Sequence, residues 1–445
     1  MLNENISAIS TALSASGVAV IRISGDSPLS IAEKMFTPVG KTKVKDFEPY
    51  KMYVGEINAD NFKDFGMCVY FKAPKSFTGE DVVEFHCHGG IAITKGILKK
   101  TLSLGARLAT NGEFTKRAFM NGKLSLSSAE GLIDMINSES ESGVKAGYYL
   151  YREKLTTEID RLQDSITDVL AQIDADMDFP EEDLEQTSTD AVNLTLLEVN
   201  KSIEKLLTTY NTGRTLKNGV KVGIVGKPNT GKSSLLNALL NFDKAIVSDV
   251  AGTTRDIVEG QIIFNGVQFN FLDTAGIRDS DDKIEELGVI LSKKVLEESD
   301  LILFVLDSSD ITSEDDAIYS LIKDKNTLVA INKTDKCDKK DERADIYISA
   351  LKKENLEKLK DLIYSKTISN GIDLNGDFLC EERHFNALTR AKEKFMMALN
   401  SIGKVSLDIL AIDIKDGWDA LGEISGRTAN EDIITNIFKK FCVGK

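Results

Sequence analysis

The spacing of apolar residues changes three times along the chain and divides it into four segments. Over residues 1–119, short apolar runs such as Gly17–Ser24, Met67–Phe71 and Val82–His86 are separated by Gly and Pro, which predicts the strands of an α+β domain. Over 120–216 the spacing becomes helical, because apolar residues recur at intervals of four and three from Leu155 to Ile173. Helical spacing also predicts a helix around Ile203 and returns over 372–445.

Residues 217–371 instead alternate apolar strands with polar or helical stretches. The predicted strands are Lys221–Val225, Leu301–Leu306, Thr327–Ile331 and Asp345–Ile348. Two further strands, Gln261–Phe264 and Val267–Leu272, flank Asn265-Gly266, a strong signal for a two-residue hairpin. The alternation predicts a mostly parallel sheet covered by helices. We therefore expect a multidomain α/β protein in which this domain is inserted into an all-α helical domain that is split into two parts.

Composition agrees with several folded domains. The chain has 445 residues, enough for about three domains of ordinary size. Hydrophobic residues make up 42% and charged residues 28%, which argues against a disordered or fibrous protein. The formal charge of −15 by itself argues against nucleic-acid partners, whose phosphates favour basic surfaces. It leaves room for local basic sites, and the candidates are Lys116, Arg117, Lys123, Lys439, Lys440 and Lys445.

The cysteines and the apolar runs predict the compartment. The five cysteines are odd in number, scattered and never in a CxxC pair, which favours a reduced cytosolic protein. The N-terminus has neither a basic region nor an apolar region of a targeting peptide. No apolar run reaches the roughly 20 residues that span a bilayer. We expect a soluble cytoplasmic protein with no membrane partner.

A phosphate-binding loop follows the first strand of the inserted domain. Residues Gly226–Ser233 read GKPNTGKS and lead into an apolar helix start, which satisfies GxxxxGK[ST] in its strand–loop–helix context. Its glycines let backbone N–H groups face the phosphates. Lys232 reaches the β- and γ-phosphates, and Ser233 offers its hydroxyl to Mg²⁺.

Three further elements follow in the order of a GTP-binding domain. Gly252–Asp256 supplies a switch threonine, Thr254, for Mg²⁺ and the γ-phosphate. Asp273–Gly276 puts an acid near the metal, through a water, and a Gly amide near the γ-phosphate. Asn332–Asp335 ends in a carboxylate that can accept from N1 and N2 of guanine, and Ser349–Leu351 closes the base pocket. The predicted GTP-binding residues are Asn229, Thr230, Gly231, Lys232, Ser233, Ser234, Ser248, Asp249, Val250, Ala251, Gly252, Thr253, Thr254, Asp273, Thr274, Ala275, Gly276, Asn332, Lys333, Thr334, Asp335, Ser349, Ala350 and Leu351.

The residue after the DTAG motif, which is Asp273–Gly276, is unusual for a GTPase active site. Ras-like GTPases orient the attacking water with a Gln there, but this chain has the apolar Ile277. Either hydrolysis is slow, or water activation and charge neutralisation come from elsewhere. Many carboxylates follow between Asp279 and Glu286, most of which we interpret as a solvated acidic loop.

Motifs across the whole chain resemble the family of tRNA-modification GTPases called MnmE or TrmE. Besides the GTPase motifs, these are SFTGED at Ser76–Asp81, HGG at His88–Gly90, the run Gly112–Leu124, the run Ile173–Asp183, and the ending FCVGK at Phe441–Lys445. The resemblance implies a folate-binding, dimerising domain over 1–119. It also implies a helical domain over 120–216 and 372–445, with the GTPase domain of 217–371 inserted in it.

The resemblance also implies further site residues. A 5-formyl- or methylene-tetrahydrofolate would contact Arg22, Glu84, Lys123 and Lys445. A potassium ion would take the place of an arginine finger, held by Asn229, Ser248, Val250 and Thr253. Catalysis would involve Lys232, Thr254 and Gly276, with Glu285 orienting water, Arg278 as a weaker candidate for coupling that loop to the partner domain, and Cys442 as either a reactive thiol or a structural residue.

The activity implied by the resemblance is modification of the tRNA wobble uridine. A homodimer acting with the flavoprotein MnmG (GidA) would install a carboxymethylaminomethyl or aminomethyl group on C5, with FAD and NADH on the partner. Contact with tRNA would be weak and dependent on MnmG. The alternatives are a regulatory GTPase of ribosome assembly without modification chemistry, and a stand-alone folate-dependent aminomethyltransferase.

Overall fold

The computed structural model describes residues 4–178, 189–242, 260–273, 295–337, 340–368 and 378–445. The chain divides into two compact units, each continuous in space but not in sequence. The first unit comprises Met1–Ile133, Leu150–Lys201 and Asn386–Lys445, and the second comprises Asp134–Tyr149 and Ser202–Phe385. Within the described ranges, none of the helices combines the length and hydropathy that a membrane crossing requires.

The strands are β1 (Ile6–Ile9), β2 (Ser16–Gly25), β3 (Phe36–Pro38), β4 (Met52–Asn58), β5 (Lys63–Phe71), β6 (Asp81–Gly89), β7 (Arg107–Leu108), β8 (Val220–Val225), β9 (Gly260–Phe264), β10 (Val267–Asp273), β11 (Leu301–Asp307), β12 (Thr327–Asn332) and β13 (Ile346–Tyr347). The helices are α1 (Pro28–Met35), α2 (Ile91–Ser103), α3 (Glu113–Met120), α4 (Leu126–Asn137), α5 (Glu141–Tyr151), α6 (Lys154–Asp178), α7 (Thr189–Thr208), α8 (Tyr210–Asn218), α9 (Lys232–Phe242), α10 (Ser313–Ile322), α11 (Leu356–Thr367), α12 (Glu382–Ser401), α13 (Leu407–Ser425) and α14 (Glu431–Lys439).

The first unit contains a seven-stranded sheet in the order β3-β4-β5-β6-β2-β1-β7. Its strands alternate, so that one face carries apolar side chains such as Ile21 and Phe85 into a core shared with α1 and α2. The opposite face is covered near β1 by Phe77 and Phe114. The prediction of strands separated by Gly and Pro in an α+β domain is confirmed.

Helical packing completes the first unit. The predicted apolar stripe lies on α6. All six of its residues are buried: Leu155, Ile159, Leu162, Ile166, Val169 and Ile173. Helix α6 packs along α13, where the side-chain amide of Gln163 donates to the carbonyl of Trp418 at 3.0 Å, and the Trp418 indole N–H donates to Thr167. The predicted amphipathic helix is confirmed.

The second unit contains a six-stranded sheet in the order β13-β12-β11-β8-β10-β9. Neighbouring strands are parallel except for the β9–β10 hairpin. Asn265 and Gly266 both have positive φ, +51° and +77°, as the twist of a tight two-residue turn requires. The predicted parallel sheet and its hairpin are both confirmed, with bounds that differ from the predicted ones by one or two residues.

Candidate functional site

The phosphate-binding loop lies where the strand order of the second sheet reverses. β8 ends at Val225, and its two neighbours, β10 and β11, are reached by connections to opposite sides. In open parallel sheets the crevice for ligands forms at such a point, outside the carboxyl ends of the strands. The same edge carries the ends of β10 at Asp273, β11 at Asp307 and β12 at Asn332. The motifs that are separate in sequence therefore converge here.

Two glycines allow the loop to pass close to its neighbours. Gly226 has φ of +155° and Gly231 has φ of +95°. A Cβ atom on Gly226 would lie 2.3 Å from the carbonyl oxygen of Val305, and one on Gly231 would lie 2.4 Å from Nδ2 of Asn332. Both distances are far below van der Waals contact, so the loop conformation requires glycine at these two positions.

Hydrogen bonds of two lysines hold the loop in shape. The Lys232 ammonium donates to the carbonyls of Gly226 at 2.7 Å and Lys227 at 2.8 Å, which keeps this charge inside the curve of the loop. The Lys227 ammonium instead reaches Asp315, a fully buried carboxylate 2.9 Å away on α10, and Thr312. Lys227 therefore ties the loop to its neighbour, and Lys232 is the lysine whose ammonium lies inside the loop.

A second loop, after β12, is joined to the phosphate loop by side chains. The Asn332 amide donates to the carbonyl of Thr230 at 3.0 Å and accepts from the backbone N–H of Ala350 at 3.0 Å. The Lys333 ammonium lies 2.6 Å from both the carbonyl oxygen of Asn229 and the carboxylate of Asp307. The predicted phosphate and base segments are therefore in direct contact.

The carboxylate predicted to bind guanine is oriented by the next predicted segment. The Ser349 hydroxyl donates to Oδ1 of Asp335 at 2.6 Å, and that hydroxyl accepts from the N–H of Lys352. The hydrogen bond from Ser349 lowers the pKa of the Asp335 carboxyl, so the group is an ionised acceptor at neutral pH. Thr334 donates to the carbonyl of Ile348, and Leu351 is exposed beside this pair.

The remaining predicted residues of the site fall into two sets. Ser233 and Ser234 lie exposed in the first turn of α9, Asn229 is exposed with φ of +64°, and Asp273 ends β10. The residues outside the described ranges are Ser248, Asp249, Val250, Ala251, Gly252, Thr253, Thr254, Thr274, Ala275, Gly276, Arg278 and Glu285. The potassium, switch and water-orienting assignments at those positions stay predictions.

A buried ion cluster lies elsewhere in the second unit. The Lys217 ammonium, at the end of α8, pairs with Asp134 at 2.8 Å and with Glu381. Burial and the negative charge of Glu381 raise the pKa of Asp134 to about 8, against the opposing pull of Lys217. Burial alone would lower the pKa of Lys217, but the two carboxylates raise it. No sequence pattern predicts this cluster.

The residues predicted to bind folate lie on the partly open face of the first sheet. Nε of Arg22 lies 2.7 Å from Oε1 of Glu84, and Nε2 of His86 lies 3.4 Å from the other carboxylate oxygen. The Arg22 guanidinium is 5.5 Å from the ring centre of Phe77 and 5.6 Å from that of Phe114. Burial alone would raise the pKa of Glu84, but its bonds with His86 and Arg22 outweigh burial and lower it. The pair is thus charged and flanked by aromatic rings.

The same face continues into exposed apolar residues. Cross-strand pairing places Met52 beside Val69, Val69 beside Glu84, and Glu84 beside Arg22. Met52 is 48% exposed and Phe65 is 57% exposed. Monomeric proteins rarely expose contiguous apolar patches, so a patch of this kind marks a contact surface.

The other predicted folate and thiol residues lie around this region. The Lys123 ammonium donates to the carbonyl of Pro74 at 3.0 Å. The C-terminal tail returns to the start of α3, since Val443 bridges to Asn111 and the carbonyl of Cys442 accepts from Gly112. Cys442 is exposed, and Lys445 follows in the same tail.

One candidate basic site does not have the exposure that contact with tRNA needs. Arg117 is only 6% exposed, and its guanidinium pairs with Glu80 and Glu113, each at 3.1 Å. Its charge is neutralised inside the first unit, so the interpretation of Arg117 as part of a basic patch is wrong. From sequence alone, a lysine or arginine in a helix near glutamates can be an exposed basic residue or a buried, ion-paired one. No sequence signal distinguishes the two.

The structure also adds residues that the sequence motifs missed. Asp307 ends β11 and bonds Lys333, and Lys227 occupies an unspecified position of the phosphate-loop motif. Asp307 could have been found, because parallel strands bring their carboxyl ends to one edge. No sequence pattern predicts that the rings of Phe77 and Phe114 lie near Arg22.

Comparisons with known proteins cover both units. The family model described as the MnmE helical domain matches residues 126–442, and that of the N-terminus of the GTP-binding protein TrmE matches residues 5–123. The chain is 40% identical to a tRNA modification GTPase MnmE of Thermoanaerobacter pseudethanolicus and 39% identical to one of Clostridioides difficile, with all of each chain covered. Among solved structures, Era of Aquifex aeolicus bound to GDP and aluminium fluoride shares 34% identity over 40% of this chain and 67% of that chain, with a TM-score of 0.28.

Proposed function

This chain belongs to the family of tRNA modification GTPases called MnmE, and from that membership we propose that it uses GTP hydrolysis and a one-carbon folate to modify C5 of the tRNA wobble uridine. It is a GTP hydrolase acting in tRNA modification. The family membership favours this activity over the ribosome-assembly GTPase and the stand-alone aminomethyltransferase. Because tRNA is the substrate, the proposed place of action is the cytoplasm.

The observation that carries the proposal is the convergence of phosphate and base residues at one edge of the second sheet. Lys232 is held inside a loop whose backbone needs glycine, and Asp335 is held ionised by Ser349. The first group suits the β- and γ-phosphates, and the second suits the N1 and N2 groups of guanine. Their joining through Asn332 supports recognition of a whole guanine nucleotide.

A magnesium ion fits the residues at the start of α9. The Ser233 hydroxyl is exposed in the first turn of α9, and Asp273 ends the strand paired in parallel with β8, opposite Ile224. Oxygen donors of these types are those that Mg²⁺ prefers. When bound, the ion neutralises charge on the phosphates; Ser233 would ligate it, and Asp273 and Thr254 would complete its surroundings.

Potassium is proposed as the second cation of the reaction. The exposed Asn229 lies on the phosphate loop, and its side-chain oxygen is a suitable ligand for a monovalent cation. Ser248, Val250 and Thr253 would supply the other ligands. When bound, the ion adds positive charge near the transferred phosphoryl group, which suits a chain that has Ile277 in place of the usual Gln.

The first sheet supports the proposed use of folate. Glu84 is an ionised acceptor suited to the amino and ring N–H groups of a pterin, while Arg22, Lys123 and Lys445 are cations suited to folate carboxylates. When bound, the one-carbon folate supplies the methylene carbon of the new group. Cys442 lies in the tail beside α3 and is proposed as a thiol of the modification reaction.

The proposed homodimer is supported by the same face. Met52 and Phe65 expose apolar surface in continuity with the Arg22–Glu84 pair, so a second copy placed there would bury that surface and enclose the folate residues. The proposed second partner is the flavoprotein MnmG, which would supply FAD and NADH chemistry. The described residues include no Rossmann-type site that we assign to either cofactor.

Two measurements test the proposed function. Mass spectrometry of tRNA nucleosides from cells with and without the protein should show loss of the C5-modified wobble uridine in its absence. Unchanged nucleosides would contradict the modification role. Steady-state GTP hydrolysis at equal ionic strength should be faster in KCl than in NaCl. Equal rates would refute the potassium assignment and leave the rest of the proposal standing.

A further inference from the structure

A cavity of about 440 Å³ opens in the first unit, beside the residues proposed for folate. Three segments far apart in sequence form it: the loop before β6, the start of α4 with the residues just before it, and the turn between α5 and α6. Its lining includes Ser76, Phe77, Lys123, Tyr151, Arg152 and Glu153.

The cavity carries two positive charges. The Lys123 ammonium is bound only to a carbonyl oxygen, that of Pro74, and no carboxylate pairs with it among the described residues. Within the described part of the chain, the Arg152 guanidinium makes no hydrogen bond or ion pair. Both cations therefore keep their capacity to bind an anion.

The one carboxylate of the cavity is occupied. Glu153 accepts from the backbone N–H of Ser125 at 3.1 Å and from the hydroxyl of Ser128 at 3.2 Å, so its charge is directed at the N-terminus of α4. It does not pair with Arg152. Glu153 has φ of +59°, a conformation that is costly for residues other than glycine, and these hydrogen bonds help to stabilise the turn that carries Tyr151 and Arg152.

The cavity adjoins the proposed folate residues through two shared side chains. Phe77 lines the cavity, and its ring lies 5.5 Å from the Arg22 guanidinium. Lys123 both lines the cavity and belongs to the predicted folate set. A folate bound at Arg22 and Glu84 could thus extend past Phe77 toward Lys123 and Arg152.

We propose that this cavity binds the γ-linked glutamate tail of a polyglutamylated folate, with Lys123 and Arg152 receiving its carboxylates. The inference rests on the folate use proposed above and names a specificity residue, Arg152, for it. Single carboxylates spaced along a flexible tail match two separate cations in one cavity. An RNA strand is less well matched, because binding phosphodiesters usually takes many basic contacts, and this chain has a formal charge of −15.

The test compares the affinity of the full-length protein for 5-formyl-tetrahydrofolate carrying one or three glutamates, by isothermal titration calorimetry. The wild type should bind the triglutamate about tenfold more tightly, the size expected from charge-assisted hydrogen bonds in a partly exposed site. Arg152→Ala should bring the ratio of the two affinities close to one, and Arg152→Lys should retain part of it. Arg161→Ala is the matched control, because Arg161 pairs with Glu158 on the exposed face of α6 and should leave the ratio unchanged.

The other outcomes separate the inference from the proposed function. Equal affinities of the wild type for both folates would overturn the inference and leave the proposed folate use intact. Failure to bind either folate would overturn both. An Arg152→Ala protein that keeps the triglutamate preference but binds a tRNA anticodon stem-loop less tightly than the control would overturn the inference in favour of an RNA site.

Discussion

The replacement Asp335→Asn should change the base that the second unit prefers. Oδ1 of Asp335 accepts from Ser349, and the lowered pKa of this carboxyl keeps it ionised. In the proposed complex it accepts two hydrogen bonds, from N1–H and from the N2 amino group of guanine. An amide presents one oxygen and one NH₂ group, so the NH₂ group would face a donor of the base.

The expected loss follows from the number and kind of bonds. A hydrogen bond to a charged group contributes about 1.5–3 kcal/mol, and a donor left facing another donor adds its own cost. A total loss of about 3 kcal/mol corresponds to a roughly 100-fold increase in the dissociation constant for GDP. Xanthine carries a carbonyl in place of the N2 amino group and can accept from the amide, so XDP should bind the variant more tightly than it binds the wild type.

The assay is titration of fluorescently labelled GDP and XDP with the full-length protein. Asp341→Asn is a suitable control, because it makes the same acid-to-amide change at a carboxylate that binds Arg343. Ser349→Ala should weaken GDP about fivefold, as expected for the loss of one orienting bond of about 1 kcal/mol. If Asp335→Asn binds GDP as tightly as the wild type, Asp335 does not read the base. If it weakens GDP and XDP equally, the change damages the site in general.

Two further predictions concern the loop glycine and the buried cluster. Gly231→Ala places a methyl group 2.4 Å from Nδ2 of Asn332 at a positive φ, so the loop has to shift. Nucleotide affinity should therefore fall at least tenfold, and an unchanged GDP titration would contradict this. Burial and the charge of Glu381 raise the pKa of Asp134 to about 8, whereas the same carboxyl in the unfolded chain releases its proton near pH 4. Between these two pH values the folded protein holds a proton that the unfolded chain has lost. The stability that this proton contributes is therefore lost as pH rises toward 8. Asp134→Asn lacks that proton, so its melting temperature relative to the wild type should rise between pH 5 and pH 8; parallel melting profiles would refute the shift.

The sequence predicted those features that depend on local patterns. Apolar runs, the Asn265-Gly266 turn and the stripe on α6 determine their own secondary structure, and each lies where the pattern indicated. The phosphate and base motifs were also predictable, because strand ends meet at one edge of a parallel sheet. The observed bounds of the strands in the second sheet differ from the predicted bounds by only one or two residues.

The rest depends on contacts between distant segments. Asp134, Lys217 and Glu381 are far apart in sequence, and no local pattern predicts that they form a buried cluster. Arg117 was predicted to be a surface cation, but Glu80, from the loop before β6, and Glu113 neutralise its charge. Arg152 acquires significance only because the turn after α5 packs beside Lys123. Tertiary packing decides each of these cases, and no local propensity reports it.

The side chain of Asn332 has a thermodynamic consequence for nucleotide binding. Its amide joins the loop predicted to bind phosphates to the loop predicted to bind the base, through Thr230 on one side and Ala350 on the other. Ordering either loop orders part of the other, so the conformational entropy of the pair is lost once rather than twice. The affinity of a whole nucleotide should therefore exceed what its nucleoside and phosphate portions would suggest when each is bound alone, and the two halves of the ligand act cooperatively through one amide.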